Sequence, residues 1–309
     1  MPAITAQGLR KRYGDTLAVD EVTLDIEEGE IYGILGRNGA GKTTSVEIIA
    51  GLRRPDEGTV TVLGLDPWRD RARLRTVLGV QLQTTALHGA LTVREMVRLY
   101  RSFYREGAEP DALIEQVGLA EKRNIRFDNL SGGQAQRLSI ALALSGRPRA
   151  VVLDELTTGL DPEARRQMWG MLEDLRGSGV TIILVSHQME EVERLCDRVA
   201  VIDRGRVLAV DTPEGLVERA DLDQVVRFRT VAEFDPAMLK TLDAVDTVTV
   251  EDEEIVVTGH GELLQTVATA LVRADVVALD TRFQRAGLED AFLALTGSPI
   301  DTDHQERAA

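Results

Sequence analysis

A glycine-rich run near the start of the chain stands between an apolar, strand-like segment and a helix-like segment. The run is Gly36-Arg37-Asn38-Gly39-Ala40-Gly41-Lys42-Thr43-Thr44, flanked by 31–35 and 45–50. Glycines let a backbone curl until several N–H groups point at one anion, and a following helix adds its positive end. Lys42 would place a cation on the β- and γ-phosphates of a nucleotide, and Thr43 would offer a hydroxyl to Mg²⁺. Spacing and context therefore predict a phosphate-binding loop rather than a glycine turn with an incidental lysine.

Two carboxylates follow a second apolar segment, 151–153. Asp154 closes that segment, and a carboxylate at the end of a strand beside a phosphate-binding loop can hold Mg²⁺ through water. Glu155 points to the opposite side of an extended chain, where it is the candidate general base, or orienter, for an attacking water. Two polar residues end neighbouring strand-like segments. His187 could contact the γ-phosphate, and Gln83 could contact Mg²⁺ or the attacking water.

A second anion site is predicted at Leu130-Ser131-Gly132-Gly133-Gln134, which precedes a helix-like segment. It supplies a serine hydroxyl and glycine N–H groups at a helix N-terminus. Tyr13 stands upstream of the glycine-rich run, beside Lys11 and Arg12. Its ring could stack on a nucleotide base, since stacking needs only a flat face. Taken alone, Tyr13 is better interpreted as a half-buried structural tyrosine.

The rest of the pattern indicates an α/β domain that carries these groups. Continuous apolar runs, which suit parallel strands covered on both faces, occupy 31–35, 150–153 and 180–185. Alternating apolar residues at 18–26 predict a strand with one buried face. Helical spacing dominates about 84–149, with Thr92 and Asp111 as expected helix caps, so we expect a helical insertion there.

A second, smaller domain is predicted beyond Asp211-Thr212-Pro213, where turn-forming residues mark a boundary. The order strand, helix, strand, strand, helix, strand suggests an α+β, ferredoxin-like domain over 222–297. Residues 298–309 are expected to form a flexible tail.

Composition narrows the classes of function. With 36 basic and 51 acidic residues the net charge is −15, which argues against nucleic acid as a partner. The single cysteine, Cys196, excludes an internal disulfide and is interpreted as a packed thiol. The sequence contains no apolar run long enough to cross a bilayer, and residues 1–12 lack the apolar core of a signal peptide. We therefore expect a cytosolic protein.

Together the motifs resemble those of the ATP-binding subunit of an ABC transporter. The matching residues are Tyr13 (A-loop), Gly36–Thr44 (Walker A), Gln83 (Q-loop), Leu130–Gln134 (signature), Val151–Asp154 with Glu155 (Walker B), Gly159–Asp161 (D-loop) and His187 (H-loop). The match covers about residues 3–215. It implies a P-loop NTPase fold, with a RecA-like core, an antiparallel β subdomain and a helical insertion, that uses ATP and Mg²⁺.

The resemblance also implies an assembly. In this family two ATP-binding subunits sandwich two ATP molecules head to tail, so Ser131, Gly133 and Gln134 of one subunit would serve the ATP on the partner's P-loop. ATP would close the homodimer and hydrolysis would reopen it. The groove after Gln83 would receive a coupling helix from a membrane domain. These expectations place the subunit peripherally, at the cytoplasmic face of the cell membrane.

The C-terminal part suggests a subfamily. Residues 287–297 resemble the C-terminal extension of ABC-2 type exporter ATPases, of which the daunorubicin/doxorubicin-resistance type is the nearest, and 80–83 are similar too. We therefore expect export of a drug-like small molecule through an ABC-2 type permease encoded separately. The alternatives are an importer, an ion, lipid or polysaccharide transporter, and a soluble ABC ATPase acting on ribosomes or DNA. The soluble reading is disfavoured because the chain has neither a second cassette nor a long coiled coil.

One position departs from the family pattern. Proline usually follows the Asp-Glu pair, and here the residue is Leu156. Leucine leaves φ free and keeps a backbone donor. Because both carboxylates remain, we expect catalysis to survive, and an inactive site is the alternative.

Overall fold

The computed structural model describes residues 2–82, 87–220, 222–230, 234–251 and 254–297. The chain divides into two units, with the boundary between Pro213 and Glu214. The strands of the first unit are β1 (Pro2–Tyr13), β2 (Thr16–Glu27), β3 (Ile31–Leu35), β4 (Glu57–Val62), β5 (Leu78–Gln81), β6 (Ala150–Asp154), β7 (Thr181–Ser186), β8 (Arg198–Asp203) and β9 (Arg206–Asp211). Its helices are α1 (Lys42–Ile49), α2 (Arg71–Val77), α3 (Val93–Arg101), α4 (Pro110–Gln116), α5 (Gly132–Ala143), α6 (Pro162–Gly177) and α7 (Met189–Leu195).

A six-stranded sheet in the order β5-β6-β7-β3-β8-β9 forms the centre of the first unit. All its pairings are parallel except β8 with β9. Every residue of β3, β6 and β7 is buried, as expected of strands covered on both faces. Leu35 pairs with Ser186 and Asp154 with Val185, so the carboxyl ends of these three strands meet at one edge. This register places the predicted chemistry together.

A separate antiparallel sheet has the order β2-β1-β4. In β2 the buried residues alternate with exposed ones at Val22, Leu24 and Ile26, so one face joins the apolar core. This sheet is the antiparallel β subdomain that the sequence predicts.

Helices α3, α4 and α5 pack against one another and form the predicted helical region. Thr92 caps α3 in a capping box with Glu95, as predicted. The prediction that Asp111 caps α4 is wrong. Glu109 takes that place, since Pro110 starts the helix and the Glu109 carboxylate accepts from Ala112 N–H. The Asp111 carboxylate instead accepts two bonds from the Arg94 guanidinium, at 2.7 and 2.9 Å.

Helix α2 has no counterpart in the elements predicted from the sequence. Leu74 is its one buried residue, so no apolar stripe of helical period marks it. Asp66 and Asp70 organise its start, because Asp66 accepts from Trp68 and Arg69 N–H and Asp70 accepts from Asp66 N–H.

The second unit contains α8 (Pro213–Arg219), whose first residue lies at the boundary, followed by β10 (Gln224–Thr230), β11 (Val245–Glu251), β12 (Glu254–Gly259), α9 (Leu263–Arg273), β13 (Ala278–Gln284) and α10 (Leu288–Thr296). The sheet is antiparallel throughout, in the order β11-β12-β10-β13. Strands β10 and β11 therefore run in the same direction with β12 between them. Strands β12 and β13 likewise run in the same direction, with β10 between them. This is the predicted ferredoxin-like order, with a 3-10 helix, Pro236–Thr241, as the first crossover.

Val226, Phe228 and Val257 of this sheet pack with Leu263 and Val267 of α9 in an apolar core of their own. None of the helices in the described ranges has the length and apolar composition needed to cross a bilayer.

Candidate active site

The glycine-rich loop connects β3 to α1, and glycine is required at two of its positions. A Cβ on Gly36 would lie 2.2 Å from the Ile202 carbonyl oxygen. Gly41 has a φ of 100°, and a Cβ there would lie 2.2 Å from the Ala18 carbonyl oxygen. Gly41 is also the N-cap of α1, so the loop leads directly into the positive end of that helix. The local backbone thus has the form that a phosphate-binding loop needs.

Lys42 lies across this loop. Its ammonium donates to the carbonyl oxygens of Gly36, at 2.6 Å, and Arg37, at 3.0 Å. Asn38 and Gly39 are exposed at the tip, whereas Ala40 is buried. The curled backbone therefore encloses a buried cation.

Asp154 and Thr43, the predicted metal ligands, come together. The Thr43 hydroxyl donates to Asp154 Oδ2 at 3.4 Å. The other carboxylate oxygen, Oδ1, is buried and has no hydrogen-bond partner among the described residues. Burial raises the Asp154 pKa to about 6, the charge of Glu155 adds to the rise, and Lys42 opposes it. A buried acidic oxygen left without a donor is suited to a cation.

Glu155 and His187 also meet. His187 Nδ1 lies 3.3 Å from Glu155 Oε1. Glu155 has a φ of 51°, a left-handed backbone conformation that a non-glycine residue rarely adopts. Its N–H donates to the Val185 carbonyl oxygen at 2.9 Å, which ties the residue to the end of β7. The candidate base is thus fixed by backbone and side chain beside the strand that carries His187.

The signature segment has its own local structure at the start of α5. Ser131 caps the helix in a capping box, with its hydroxyl accepting from Gln134 N–H and its own N–H donating to Gln134 Oε1. The atoms nearest to a Cβ placed on Gly133 belong to Leu160 and Ala164, at 3.5 and 3.4 Å, and not to the glycine-rich loop. The fold therefore presents Ser131, Gly133 and Gln134 beside the start of α6.

Tyr13 is 39% exposed at the end of β1. The guanidinium of Arg53 lies 5.2 Å from the ring centroid and the Lys11 ammonium 5.9 Å. Arg53 also donates to Glu47 of α1 at 2.6 Å, so these contacts connect the tyrosine to the helix after the glycine-rich loop. Gln83, the other predicted contact of Mg²⁺ and water, lies outside the described residues.

Sequence reasoning missed Gln81, which is buried at the end of β5. Its amide oxygen accepts from Asp154 N–H at 3.1 Å, and its amide nitrogen donates to the Leu82 carbonyl oxygen at 2.9 Å. Gln81 therefore orients the backbone of the candidate metal ligand. The sequence signal that could have identified it was a polar glutamine within a segment predicted to be a buried strand.

These elements define a class of protein. A glycine-rich loop that encloses a lysine at the end of a parallel strand meets an aspartate and a glutamate at the end of another. This is the arrangement of a P-loop nucleoside triphosphatase, in which backbone N–H groups and the lysine bind phosphates and an acidic residue activates water.

Comparisons with known proteins agree with this class. The family model described as "ABC transporter" matches residues 19–158. A daunorubicin resistance ATP-binding protein of Streptomyces coeruleorubidus is 36% identical over 305 residues, covering 96% of both chains. A Nod factor export ATP-binding protein of Mesorhizobium japonicum is 37% identical over 308 residues, covering 97% of this chain and 88% of that protein. A solved dimeric ATP-binding cassette in a post-hydrolysis state, with bound ADP and Pi, has a TM-score of 0.62 and 28% identity over 68% of this chain and 98% of its own.

This chain belongs to the ABC transporter family, in which it is an ATP-binding subunit that hydrolyses ATP for transport. The predicted resemblance to daunorubicin-resistance ATP-binding subunits is confirmed, and it extends through the second unit.

Proposed function

We propose that this chain energises export of a small molecule, of the drug or antibiotic kind, through a membrane permease of the ABC-2 type. The ATP hydrolysis that would drive this export rests on Thr43 and Asp154, with Lys42 acting on that carboxylate, at the end of the sheet that also carries the Glu155–His187 pair. Relatives named for daunorubicin resistance and for Nod factor export match nearly the whole chain, which supports export over import.

Each site residue has a proposed role. The P-loop backbone, from Gly36 to Thr44, and the Lys42 ammonium bind the β- and γ-phosphates, and Tyr13 stacks on the base. The Thr43 hydroxyl and the Asp154 carboxylate would hold Mg²⁺, which when bound neutralises charge on the phosphate oxygens. The unpartnered Asp154 oxygen described above supports this assignment.

Glu155 accepts the proton of the attacking water as that oxygen bonds to the γ-phosphorus and the bond to the bridging oxygen of ADP breaks. His187 holds the Glu155 carboxylate and contacts the γ-phosphate. The proposed role of Gln83, in contact with Mg²⁺ or the water, rests on the family resemblance.

Two copies of the chain complete the sites in this proposal. Ser131, Gly133 and Gln134 lie at the N-terminus of α5, where a serine hydroxyl and the N–H groups of the first helical turn suit the γ-phosphate of an ATP held by the partner. We assign residues 3–215 to the ATP-binding domain and 222–297 to an accessory domain. The assembly would lie at the cytoplasmic face of the cell membrane, against the permease.

The Glu155→Gln variant tests the catalytic assignment. The substitution replaces the candidate base with a neutral amide of nearly the same shape. Turnover should therefore fall by about 10²–10⁴-fold, the usual contribution of general base catalysis, while ATP binding persists. Steady-state phosphate release with Mg-ATP measures turnover, equilibrium nucleotide binding measures affinity, and size-exclusion chromatography with light scattering should detect an ATP-dependent dimer. Near-normal turnover of the variant would remove Glu155 from this role.

A further inference from the structure

Glu191 is a fully buried carboxylate in the first turn of α7, and the reaction as described does not use it. Neither of its side-chain oxygens makes a hydrogen bond of normal geometry with the described part of the chain. A buried acidic group in this situation lowers stability, so its presence calls for a physical reason.

The neighbours of Glu191 form a polar cluster inside the fold. Its carboxyl interacts at the margin of hydrogen-bond geometry with the hydroxyls of Ser186 and Thr157 and the indole of Trp169, and these groups and the charge of Arg165 oppose the rise in its pKa. Trp169 Nε1 is likewise buried and makes no hydrogen bond of normal geometry with the described residues. Burial raises the pKa of Glu191, which favours the neutral acid, a group that can donate one hydrogen bond and accept others.

This cluster connects the two segments that carry the reacting side chains. Ser186 directly precedes His187, and Thr157 follows Glu155 by two residues. Gln188 links them further, since its N–H donates to Ser186 Oγ at 3.0 Å and its side-chain oxygen accepts from the Thr157 hydroxyl at 3.3 Å.

Glu155 needs such support because of its backbone. A non-glycine residue at a φ of 51° persists only where its surroundings hold it, and the segment after it lacks the proline that would limit its freedom. Its backbone bond to Val185 fixes one side, and Thr157 fixes the chain two residues further on.

We propose that Glu191 is a positioning residue for ATP hydrolysis, which holds Ser186 and Thr157 together and thereby sets the distance between Glu155 and His187. The inference rests on the proposed function, because Glu191 acts only through those two side chains.

Two substitutions at Glu191 test the proposal in the full-length protein. Glu191→Gln keeps the size and the capacity to donate and accept hydrogen bonds, so kcat should stay within about twofold. Glu191→Met keeps the length but removes the polar contacts, so kcat should fall by about tenfold or more, as for loss of a group that orients a catalytic base. ATP affinity, measured by equilibrium binding, should stay unchanged in both.

Val192→Ala is the matched control, since Val192 is its buried neighbour on the same helix. It should lower the Tm by loss of packing and leave kcat unchanged. Thr157→Val removes one hydroxyl partner of Glu191 with little change in shape, so it should lower kcat by about threefold. This variant replaces Glu191→Met in the test if Glu191→Met does not fold. Wild-type kcat in Glu191→Met, or in Thr157→Val if Glu191→Met cannot be purified, would overturn the proposal. So would equal kcat losses in Glu191→Gln and Glu191→Met.

A double variant separates this inference from the proposed function. If Glu191 acts through Glu155, adding Glu191→Met to Glu155→Gln should slow turnover no further, because both changes remove the same contribution. Additive losses would overturn the positioning role and leave Glu155 as the base. Near-normal turnover of Glu155→Gln alone would instead overturn the proposed function.

Discussion

At the scale of single residues, Asp154 carries a charge that the protein by itself disfavours. Burial and the neighbouring Glu155 raise its pKa from 3.8 to about 6, although Lys42 partly offsets them. Between about pH 3.8 and pH 6, the Asp154 carboxyl therefore carries more bound proton in the folded state than in the unfolded chain. The ionised carboxylate destabilises the metal-free protein above about pH 6, and the destabilisation disappears as the pH falls towards 3.8.

We predict that Asp154→Asn stabilises the metal-free protein at pH 8, because a neutral side chain of the same shape replaces the buried charge. A shift of about two pKa units corresponds to at most about 3 kcal/mol, and relaxation of the site reduces it, so about 1–2 kcal/mol is expected. Denaturant unfolding in the presence of EDTA, at pH 8 and at pH 4.5, measures the difference between the two proteins. The gain should shrink at the lower pH, where Asp154 itself is largely protonated.

The variant should also lose Mg-ATP hydrolysis, since a neutral amide is a poor magnesium ligand. An Asp154→Asn protein that is less stable than wild type at pH 8 would show that the aspartate makes a structural contribution. Such a result would contradict its interpretation as a site for a cation.

At the scale of elements, the start of α5 contains two glycines that its own unit does not require. A Cβ on Gly132 would meet no atom within 4 Å, and one on Gly133 would make only ordinary contacts. Neither residue has a positive φ. Glycine inside a helix costs about 1 kcal/mol relative to alanine. Neither the space around these two residues in the described structure nor their backbone conformation explains the glycines, whereas close approach of a partner's phosphate would.

We predict that Gly133→Ala folds with unchanged or slightly greater stability, yet lowers turnover by at least about tenfold, or 1.36 kcal/mol of barrier. The added methyl would separate the helix N–H groups from the γ-phosphate on the partner. Thermal unfolding and steady-state ATPase assays measure the two effects.

Gly170→Ala in α6 is the matched control, because it too lies in a helix with open space around it and no positive φ. It should leave turnover unchanged. Wild-type activity and ATP-dependent dimerisation in Gly133→Ala would contradict the shared site.

The segment between β6 and α6 gives a second prediction at this scale. Leu156 stands where the family has proline, and its side chain is buried. Leu156→Pro should lower the Tm through lost packing, but kcat should change by less than about threefold, or 0.7 kcal/mol, because Glu155 is already tied to Val185 and His187. A large gain in steady-state ATPase activity would show that the leucine impairs the wild-type site.

Elements with strong periodicity could be predicted from sequence, whereas those made by local polar contacts could not. The apolar runs of β3, β6 and β7 determine both the parallel sheet and the edge where its polar residues gather. Helix α2 has one buried residue, so a helical period of apolar residues could not predict it. Asp111 does not cap α4 because its carboxylate binds Arg94 of another helix, so the choice of cap depends on a tertiary contact. Gln81 and Glu191 are polar residues at buried positions, and their partners come from other elements of the fold.

At the scale of the whole molecule, negative charge is concentrated in the last third of the chain. From Asp221 to the end there are 18 acidic and 7 basic residues, a net of −11 out of −15. Charge of this sign is repelled by anionic lipid, so electrostatic attraction of this region does not explain attachment to a membrane. Attachment in the proposed assembly must then come from specific contacts with a permease.

We therefore predict that tagged protein, isolated from its native cells in mild detergent, brings a polytopic membrane protein with it in near-equal amount. Because the contact would be specific and not electrostatic, recovery should survive about 0.5 M salt, at which exposed charges are screened within a few ångströms. Quantitative mass spectrometry of the eluate measures the ratio, and a parallel isolation with untagged cells controls for carry-over. Ribosomal or DNA-repair proteins in place of a membrane protein would contradict the exporter assignment and favour a soluble ABC ATPase. A permease recovered in this way would also make the transported molecule accessible, since its cavity and not the ATPase would recognise the cargo.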